Sequence, residues 1–232
     1  MILFHSLLHL LFPQSCLHCS SELAPYCRLL CPACFELLEL LEPEGRCPYC
    51  FAESDAVCAT CQQKRPSADF VAACFEYTGP AKTLIKEFKY QDSPGLATSL
   101  GSFLVLQFLA LKWPLPDVVT FVPQSFIRTR ARGYNQSKLL AYEFGKCTSR
   151  PVVELLRKTQ SSLSQSRLTK KEREAVKPDL YAVKRPQDIT HKAILLIDDV
   201  YTTGTTIDRC ASALKAHAPS HIYVLTVCTA VA

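Results

Sequence analysis

Glycine is scarce in this sequence. The chain has 7 glycines among 232 residues, well below the average share of roughly 7%, so each glycine is informative about the backbone. Charged residues make up only 20% of the chain and apolar residues 48%. That composition excludes a wholly disordered chain and allows a packed core. At about 150 residues per domain, the length predicts one domain with an appendage or two small domains.

The sequence also lacks a convincing signal peptide or membrane span. It is mostly apolar from Ile2 to Phe12, but no Lys or Arg precedes this run and no small-residue cleavage site follows it. About eleven residues are too few to cross a bilayer. The longer apolar stretch Leu96–Leu115 is interrupted by polar residues and predicts a core helix. We therefore expect an N-terminal helix packed on the body, no membrane span, and a soluble, cytoplasmic protein.

Cysteine is abundant by contrast, with 13 residues. The length excludes a small disulfide scaffold, and the odd count leaves one thiol unpaired in any case. Eight of the cysteines form four C-x-x-C pairs between Cys16 and Cys61. This spacing lets two thiolates converge on one tetrahedral ion, and two pairs complete a closed site. No His/Glu ligand set with an open position is evident nearby, so the metal is expected to hold structure rather than do chemistry.

We predict two structural zinc ions, each held by two consecutive pairs. Interleaved ligation of the RING type is an alternative, and Cys27 could replace a ligand of the first site. The ligands would be Cys16, Cys19, Cys31 and Cys34 for the first ion and Cys47, Cys50, Cys58 and Cys61 for the second. The cysteines of the body, Cys74, Cys147, Cys210 and Cys228, lie apart from any pair and are expected to be inert core thiols.

Charge is distributed unevenly along the chain. Between Gln124 and Lys177 there are 13 basic and 4 acidic residues, a net charge of +9, whereas the remainder carries a net charge of −4. A cationic segment on an otherwise acidic protein indicates an anionic ligand, such as phosphate, pyrophosphate or nucleic acid. A solvated helix face is the structural alternative.

Strand and helix signals alternate from Phe70 onward. Because strands that alternate with helices form parallel sheets covered on both faces, this pattern predicts an α/β fold. The predicted strands are Phe70–Tyr77, Asp117–Val122, Pro151–Leu155, Ala193–Ile197 and Ile222–Val227, and the predicted helices are Gly79–Lys89, Leu96–Trp113, Gly133–Lys146 and Thr205–His217.

The most specific motif is Ile194–Thr206, which reads ILLIDDVYTTGTT. A buried strand ends in two carboxylates, and a short loop of hydroxyls and one glycine leads into a helix. Open α/β sheets bind ligands at the carboxyl ends of strands. A helix N-terminus offers free N–H groups to a phosphate, whereas carboxylates suit sugar hydroxyls and a magnesium shell. The motif therefore predicts a phosphorylated sugar as ligand.

This segment resembles the 5-phosphoribosyl-1-pyrophosphate (PRPP) signature of type I phosphoribosyltransferases. The resemblance implies that Asp198 and Asp199 contact the ribose hydroxyls and that the loop holds the 5-phosphate. The loop residues are Thr202, Thr203, Gly204, Thr205 and Thr206. Magnesium is expected to accompany PRPP and to be held mostly by the ligand's own oxygens.

Three further elements resemble the competence protein F (ComF) family. They are VPQSFIRTRARGYNQSKL at Val122–Leu139, the four C-x-x-C pairs, and Gln165-x-x-Leu168-x(4)-Arg173. Val176 and Tyr181 depart from the family pattern, where Asn and Phe are usual. The resemblance implies a parallel-sheet type I phosphoribosyltransferase fold at 67–232, preceded by an N-terminal helix and a double zinc ribbon at 1–66. It also implies a role in DNA uptake during natural competence, although some relatives are tied to gluconate use.

The basic loop is predicted to bind pyrophosphate or DNA. Arg128, Arg130 and Arg132 alternate, so in an extended segment they would project to one side. Guanidinium groups suit phosphates because their donors form a bidentate fork. Gly133, Tyr134, Asn135 and Gln136 complete the loop. The polar segment Ser161–Lys177 is interpreted as a flexible hood or a solvated linker.

Three functions are compatible with these residues. The first is an active phosphoribosyltransferase, for which no residue identifies the acceptor. The second is a PRPP-fold module that binds single-stranded DNA, with Tyr134 stacking on bases. The third is an interaction scaffold whose zinc ribbons dock a DNA-uptake helicase or another competence protein. We favour the second and leave turnover of PRPP open.

Overall fold

The computed structural model describes residues 15–24, 27, 29–90, 93–124, 130, 133–159, 180–184 and 189–231. The predicted N-terminal helix and the segment Ser161–Lys177 lie outside these residues. The helices are α1 (Pro32–Glu36), α2 (Ala59–Gln63), α3 (Gly79–Tyr90), α4 (Leu96–Ala110), α5 (Gln136–Thr148) and α6 (Thr205–Lys215). The strands are β1 (Phe70–Glu76), β2 (Val118–Phe121), β3 (Leu156–Lys158), β4 (Tyr181–Val183), β5 (Ala193–Tyr201) and β6 (His221–Thr229).

The central feature is a four-stranded parallel sheet in the order β1-β6-β5-β2. Both inner strands are almost continuously buried, because their runs of branched apolar residues are covered on both faces. The loop that follows β5 thus emerges from the middle of the sheet rather than from its edge. The predicted parallel α/β fold with a cysteine-rich head is confirmed.

Both edges of the sheet are covered by other parts of the chain. On the β1 side, the head contributes two backbone hydrogen bonds: Val71 N donates to Pro48 O at 2.9 Å, and Leu41 N donates to Cys74 O at 2.9 Å. On the β2 side, Val119 donates to Pro151 O and accepts from the amide of Val153. Covered edges offer no template for pairing with another chain, and the first set fixes the head to the body.

The helices α4 and α5 pack against each other and against the sheet. A Cβ at Gly101 of α4 would lie 2.6 Å from the Cβ of Glu143 on α5, so glycine permits the close approach of the two helices. Phe108 and Phe144 meet edge to face between them, with ring centroids 5.4 Å apart. In the described part of the chain, none of the helices is both long and apolar enough to cross a membrane.

Two sequence predictions of local structure are corrected. The helix predicted from Gly133 begins at Gln136, because the Asn135 side chain caps it by accepting from the amide of Lys138. The strand predicted at Pro151–Leu155 is wrong: Val152 makes only an isolated bridge to Val119. The strand begins at Leu156 and pairs antiparallel with β4 in a separate two-stranded sheet.

Candidate functional site

Two groups of four cysteines converge in the head. The sulfur atoms within each group lie within 4.8 Å of one another. The groups are Cys16, Cys19, Cys31 and Cys34, and Cys47, Cys50, Cys58 and Cys61. The structure brings together the consecutive pairs assigned from the sequence, so the interleaved grouping is wrong, and the binding of a zinc ion by each group stays a prediction.

The two clusters repeat the same backbone geometry. In each, the residue after the first C-x-x-C pair is left-handed: Ser20 has φ 62° and Phe51 has φ 63°. Its amide donates back to the first cysteine of the pair, to Cys16 O at 2.9 Å and to Cys47 O at 2.8 Å respectively. The second pair of each cluster opens a short helix, α1 or α2. The head therefore contains two copies of one backbone unit, each of which could hold a metal ion.

The sulfur positions fit zinc. Two sulfurs bound tetrahedrally at about 2.3 Å would lie about 3.8 Å apart. The Sγ atoms of Cys19 and Cys31 are 3.6 Å apart, and those of Cys50 and Cys58 are 3.5 Å apart. At Cys34 burial, followed by hydrogen bonds with the neighbouring thiols, raises the pKa of the thiol. Burial also raises the pKa of the Cys16 thiol, but the hydrogen bonds that it accepts, led by those from the backbone N–H groups of Cys19 and Cys31, together lower it to about 6. Such N–H donors favour the thiolate, which is the metal-ligating form.

The remaining cysteines do not share one environment. Cys74, Cys210 and Cys228 are buried, as predicted, and burial raises the pKa of each thiol. Cys147 is exposed near the end of α5, so its prediction as a core thiol is wrong. Cys27 is partly buried and is not a member of either cluster.

The hydroxyl loop joins β5 to α6. Thr202, Thr203, Thr205 and Thr206 are exposed, and the hydroxyls of Thr203 and Thr205 lie 3.0 Å apart. Gly204 is the residue before the first turn of α6 and has φ 69°. A Cβ there would also collide with the Tyr201 hydroxyl. Both observations explain why glycine stands at this position. The N-terminus of α6 therefore lies next to an exposed set of hydroxyls.

The two carboxylates of the acidic pair have different partners, because successive residues of a strand point to opposite faces. Asp198 is partly exposed and accepts from the Ser137 hydroxyl at 2.7 Å and from the Asp199 amide at 2.9 Å. Asp199 is buried and forms an ion pair with Lys89, whose Nζ lies 2.9 Å from its Oδ1. Burial, followed by the charge of Asp199, raises the pKa of Asp198 to about 7. The pair is therefore embedded in a polar network.

Sequence reasoning missed Lys89 and Ser137. Lys89 lies in the last turn of α3, and Ser137 lies in the first turn of α5, next to the predicted basic loop. Ser137 directly follows Gln136 within the Val122–Leu139 motif, so its place in that motif is a local signal of its role. Lys89 ends the helix predicted at Gly79–Lys89, and no local pattern there indicates a contact with Asp199.

The last residues of the predicted basic loop bind within the protein. The Tyr134 hydroxyl donates to Phe88 O at 2.7 Å, and Gln136 Nε2 donates to the same carbonyl at 3.4 Å. Asn135 Nδ2 donates to Val122 O at 3.1 Å. Gln136 is fully buried. These side chains join α3, the end of β2 and the start of α5, which the sequence did not predict.

The arginines of the loop are mostly not described. Arg128 and Arg132 lie outside the described residues, whereas Arg130 is described and exposed, and Gly133 is exposed with φ 76°. The predicted role of these residues with pyrophosphate or DNA stays a prediction. Among the described cations of the basic segment, Lys138, Lys146, Arg157 and Lys158 are also exposed.

A cavity of about 680 Å³ separates the second cysteine cluster from the hydroxyl loop. Its walls include Lys64 and Arg65 of the head, Arg209 of α6 and the loop residues Thr202–Thr205. The described lining includes neither Asp198 nor Asp199. The head therefore faces the outer side of the loop, while the acidic pair lies beyond this cavity.

The sequences of several known proteins align with most of this chain. Competence protein F of Haemophilus influenzae is 25% identical over 210 residues, which cover 88% of this chain and 92% of that protein. The resemblance to the ComF family is confirmed. Competence protein ComFC of Streptococcus pneumoniae is 29% identical over 80% of this chain and 81% of its own. DNA utilization protein YhgH of Escherichia coli is 26% identical over 78% of this chain and 83% of its own. No protein-family model matches the chain.

Solved structures give a weaker likeness. A glutamine PRPP amidotransferase from B. subtilis, complexed with ADP and GMP, aligns with a TM-score of 0.42 and 19% identity. The alignment covers 61% of this chain and 30% of that one. The α/β assignment therefore rests on the chain's own sheet.

Proposed function

We propose that the chain binds PRPP, or a related phosphorylated ribose, at the carboxyl end of β5. The observation that carries this proposal is the direct succession of the acidic pair, the exposed hydroxyl loop and the N-terminus of α6. Free N–H groups and hydroxyls suit the 5-phosphate, and carboxylate oxygens suit the ribose hydroxyls. The proposal therefore assigns Asp198 and Asp199 to the sugar and Thr202–Thr206 to the phosphate.

Magnesium would arrive with the ligand. In the described residues, the clusters that could hold a metal ion are the two cysteine sets, which suit zinc rather than magnesium. Mg²⁺ keeps several waters and binds substrate phosphates, so the pyrophosphate oxygens would supply most of its coordination. It would offset the charge of the pyrophosphate beside the acidic pair.

Calorimetric titration of the protein with PRPP and Mg²⁺ tests this assignment. Asp198→Asn combined with Asp199→Asn should weaken binding by at least about tenfold, because each carboxylate accepts charge-assisted hydrogen bonds. Asp117→Asn is the matched control: its carboxylate accepts from Ala193 N at the opposite end of β5, so affinity should not change. Equal affinity in all three proteins would show that the signature does not bind PRPP.

We also propose that the basic segment binds single-stranded DNA and serves DNA uptake in the cytoplasm. The relatives named for competence and DNA utilization favour this role. So does one face of α5, where Lys138, Tyr142 and Lys146 recur every four residues and are exposed. Half of Tyr142 is accessible, and Lys138 Nζ lies 5.9 Å from its ring centroid. Tyr142 suits base stacking better than Tyr134, whose ring packs on Phe88.

Salt dependence tests the DNA proposal. Arg128, Arg130 and Arg132 replaced together by Ala should flatten the salt slope of DNA affinity, since each lost phosphate contact removes roughly 0.7 from it. Tyr142→Ala should weaken binding without that change in slope, because stacking is not ionic. The Asp198/Asp199 double variant should bind DNA at least as well as the wild type. A normal slope in the arginine variant would contradict the proposal.

Turnover of PRPP and docking of a partner are separate functions. A phosphoribosyltransferase reaction needs an acceptor, and the described residues identify none. A scaffold role would place a DNA-uptake helicase or another competence protein on the cysteine-rich head. Docking through apolar head contacts should be insensitive to salt, unlike DNA binding.

A further inference from the structure

Tyr134 and Gln136 converge on one backbone carbonyl. Their donors lie 2.7 Å and 3.4 Å from the oxygen of Phe88. Phe88 is in the last turn of α3, where carbonyl groups have no partner within the helix. The ring of Tyr134 also packs against that of Phe88, with centroids 5.8 Å apart. The start of the α5 segment therefore fixes the end of α3 at this residue.

The next residue along α3 reaches the acidic pair. The Lys89 ammonium lies 2.9 Å from Asp199 Oδ1, with side-chain exposures of only 18% and 11%. A lysine side chain has four rotatable bonds and loses much conformational freedom when it is held in one position. The position of its backbone therefore determines whether the ion pair forms, and that backbone is adjacent to the carbonyl held by Tyr134 and Gln136.

We propose that Tyr134 and Gln136 are positioning residues that hold Lys89 on Asp199, and that the ion pair lowers the net negative charge of the acidic pair. The acidic pair can then accept an anionic, phosphorylated sugar. The second half of this inference rests on the proposed function. One ammonium offsets one of the two carboxylates. Without it, the negative charge of the acidic pair would be uncompensated and would repel the ligand, and the repulsion would grow with the charge of the ligand. The affinity for PRPP should therefore depend on Lys89 more strongly than the affinity for ribose 5-phosphate does.

The positioning is tested without ligand by NMR of ¹⁵N-labelled lysine ammonium groups. The Lys89 signal is identified by its loss in Lys89→Met. In the wild type it should persist as a slowly exchanging ammonium, because the pair is mostly shielded from water. Tyr134→Phe keeps the ring contact and removes the donor, and it should weaken or abolish the signal. Adding Gln136→Met should complete the loss.

The control is Tyr142→Phe, which removes the hydroxyl of an exposed tyrosine within α5. It should leave the Lys89 signal unchanged. A Lys89 signal that persists unchanged in folded Tyr134→Phe and in the double variant would overturn the positioning role. The single variant retains the partly buried ring and Gln136, so it remains informative if the double variant does not fold.

The consequence for binding is tested by calorimetry with PRPP and ribose 5-phosphate. Lys89→Met and Tyr134→Phe should each weaken PRPP about fivefold more than ribose 5-phosphate. The two changes combined should match Lys89→Met alone, because Tyr134 acts through Lys89. Equal weakening of the binding of both ligands, or additive effects of the two substitutions, would overturn the proposed role of the ion pair in ligand binding. If the wild type binds neither ligand, the proposed function fails, and the ammonium signal still decides the positioning.

Discussion

The hydroxyl of Ser137 donates a 2.7 Å hydrogen bond to Asp198 and so connects the first turn of α5 to the acidic end of β5. This bond favours the ionised carboxylate, but burial and the neighbouring charge of Asp199 outweigh it and raise the pKa of Asp198 to about 7. Asp198 thus releases its proton near neutral pH in the folded protein. In the unfolded chain it does so near its ordinary value of about 3.9.

Asp198 should make the folded protein less stable as the pH rises. Between about pH 4 and pH 7 the folded state binds more protons at this residue than the unfolded state, so its contribution to the free energy of unfolding falls. Asp198→Asn removes that dependence. The stability of the variant relative to the wild type should therefore rise by about 2 kcal/mol over this window, after allowance for partial exposure, and then level off. Urea unfolding at a series of pH values measures the difference.

Ser137→Ala provides the matched comparison. Loss of the hydroxyl donor should raise the pKa of Asp198 further, so the window in which stability falls should extend to higher pH. A difference between Asp198→Asn and the wild type that stays constant from pH 4 to pH 8 would contradict this assignment of the carboxyl.

Replacement of Gly204 by Ala should destabilise the loop. Its φ of 69° is unfavourable for any residue with a Cβ, and the added atom would collide with the Tyr201 hydroxyl. We expect a loss of about 2 kcal/mol or more in the free energy of unfolding. Tyr201→Phe in the same chain should restore part of it.

Gly95→Ala is the control for this measurement. Gly95 has φ −60°, and among the described residues no atom beyond Gly95 and its two chain neighbours lies within 4 Å of the position of its Cβ. Its unfolding free energy should change by less than about 0.5 kcal/mol. Equal losses in the two variants would show that the loop does not require glycine at 204.

Metal analysis should find close to two zinc ions per chain, one for each cysteine cluster. Chelation should unfold the head, because structural zinc binding contributes folding energy. Cys34→Ser or Cys61→Ser should each remove one ion. Cys27→Ser and Cys147→Ser, which lie outside the clusters, should retain both. One zinc ion or none in freshly purified, reduced wild type would contradict the two-site assignment.

Arg46 should hold the head on the sheet. Its guanidinium donates to Phe51 O in the head and pairs with Glu76 at the end of β1, both at 3.0 Å. Arg46→Met should lower the free energy of unfolding by about 1–3 kcal/mol while zinc content is retained. The control is Arg65→Met, whose exposed guanidinium lies 4.4 Å from the Tyr49 ring centroid and should contribute less than about 1 kcal/mol. Similar losses for both would contradict the docking role.

The features that sequence predicted best are those set by local pattern. The strand and helix around Asp198 and Asp199 follow from an apolar run, a hydroxyl loop and a helical pattern that are contiguous in the chain. The cysteine clusters follow from short spacings in the same way. The boundary at residue 66 stays a prediction, and the bonds between Val71 and Pro48 and between Leu41 and Cys74 show that the head packs against β1.

Tertiary context decided the rest. Lys89 and Ser137 are far from Asp199 and Asp198 along the chain, so no local spacing indicates their contacts. Tyr134 beside a basic run suggested a ligand contact, whereas its hydroxyl satisfies a helix-end carbonyl that only the fold brings near. The position of Cys147 apart from the C-x-x-C pairs predicts a core thiol, but the last turn of α5 is exposed there.

The most direct test of the central proposal is a crystal structure of the protein with Mg²⁺ and PRPP. The account predicts the 5-phosphate against the amides and hydroxyls of Thr202–Thr206, with the ribose hydroxyls within hydrogen-bond distance of Asp198 or Asp199. It also predicts zinc in both cysteine clusters of the same crystal. PRPP bound away from β5, or no PRPP at concentrations that saturate a micromolar site, would contradict the account.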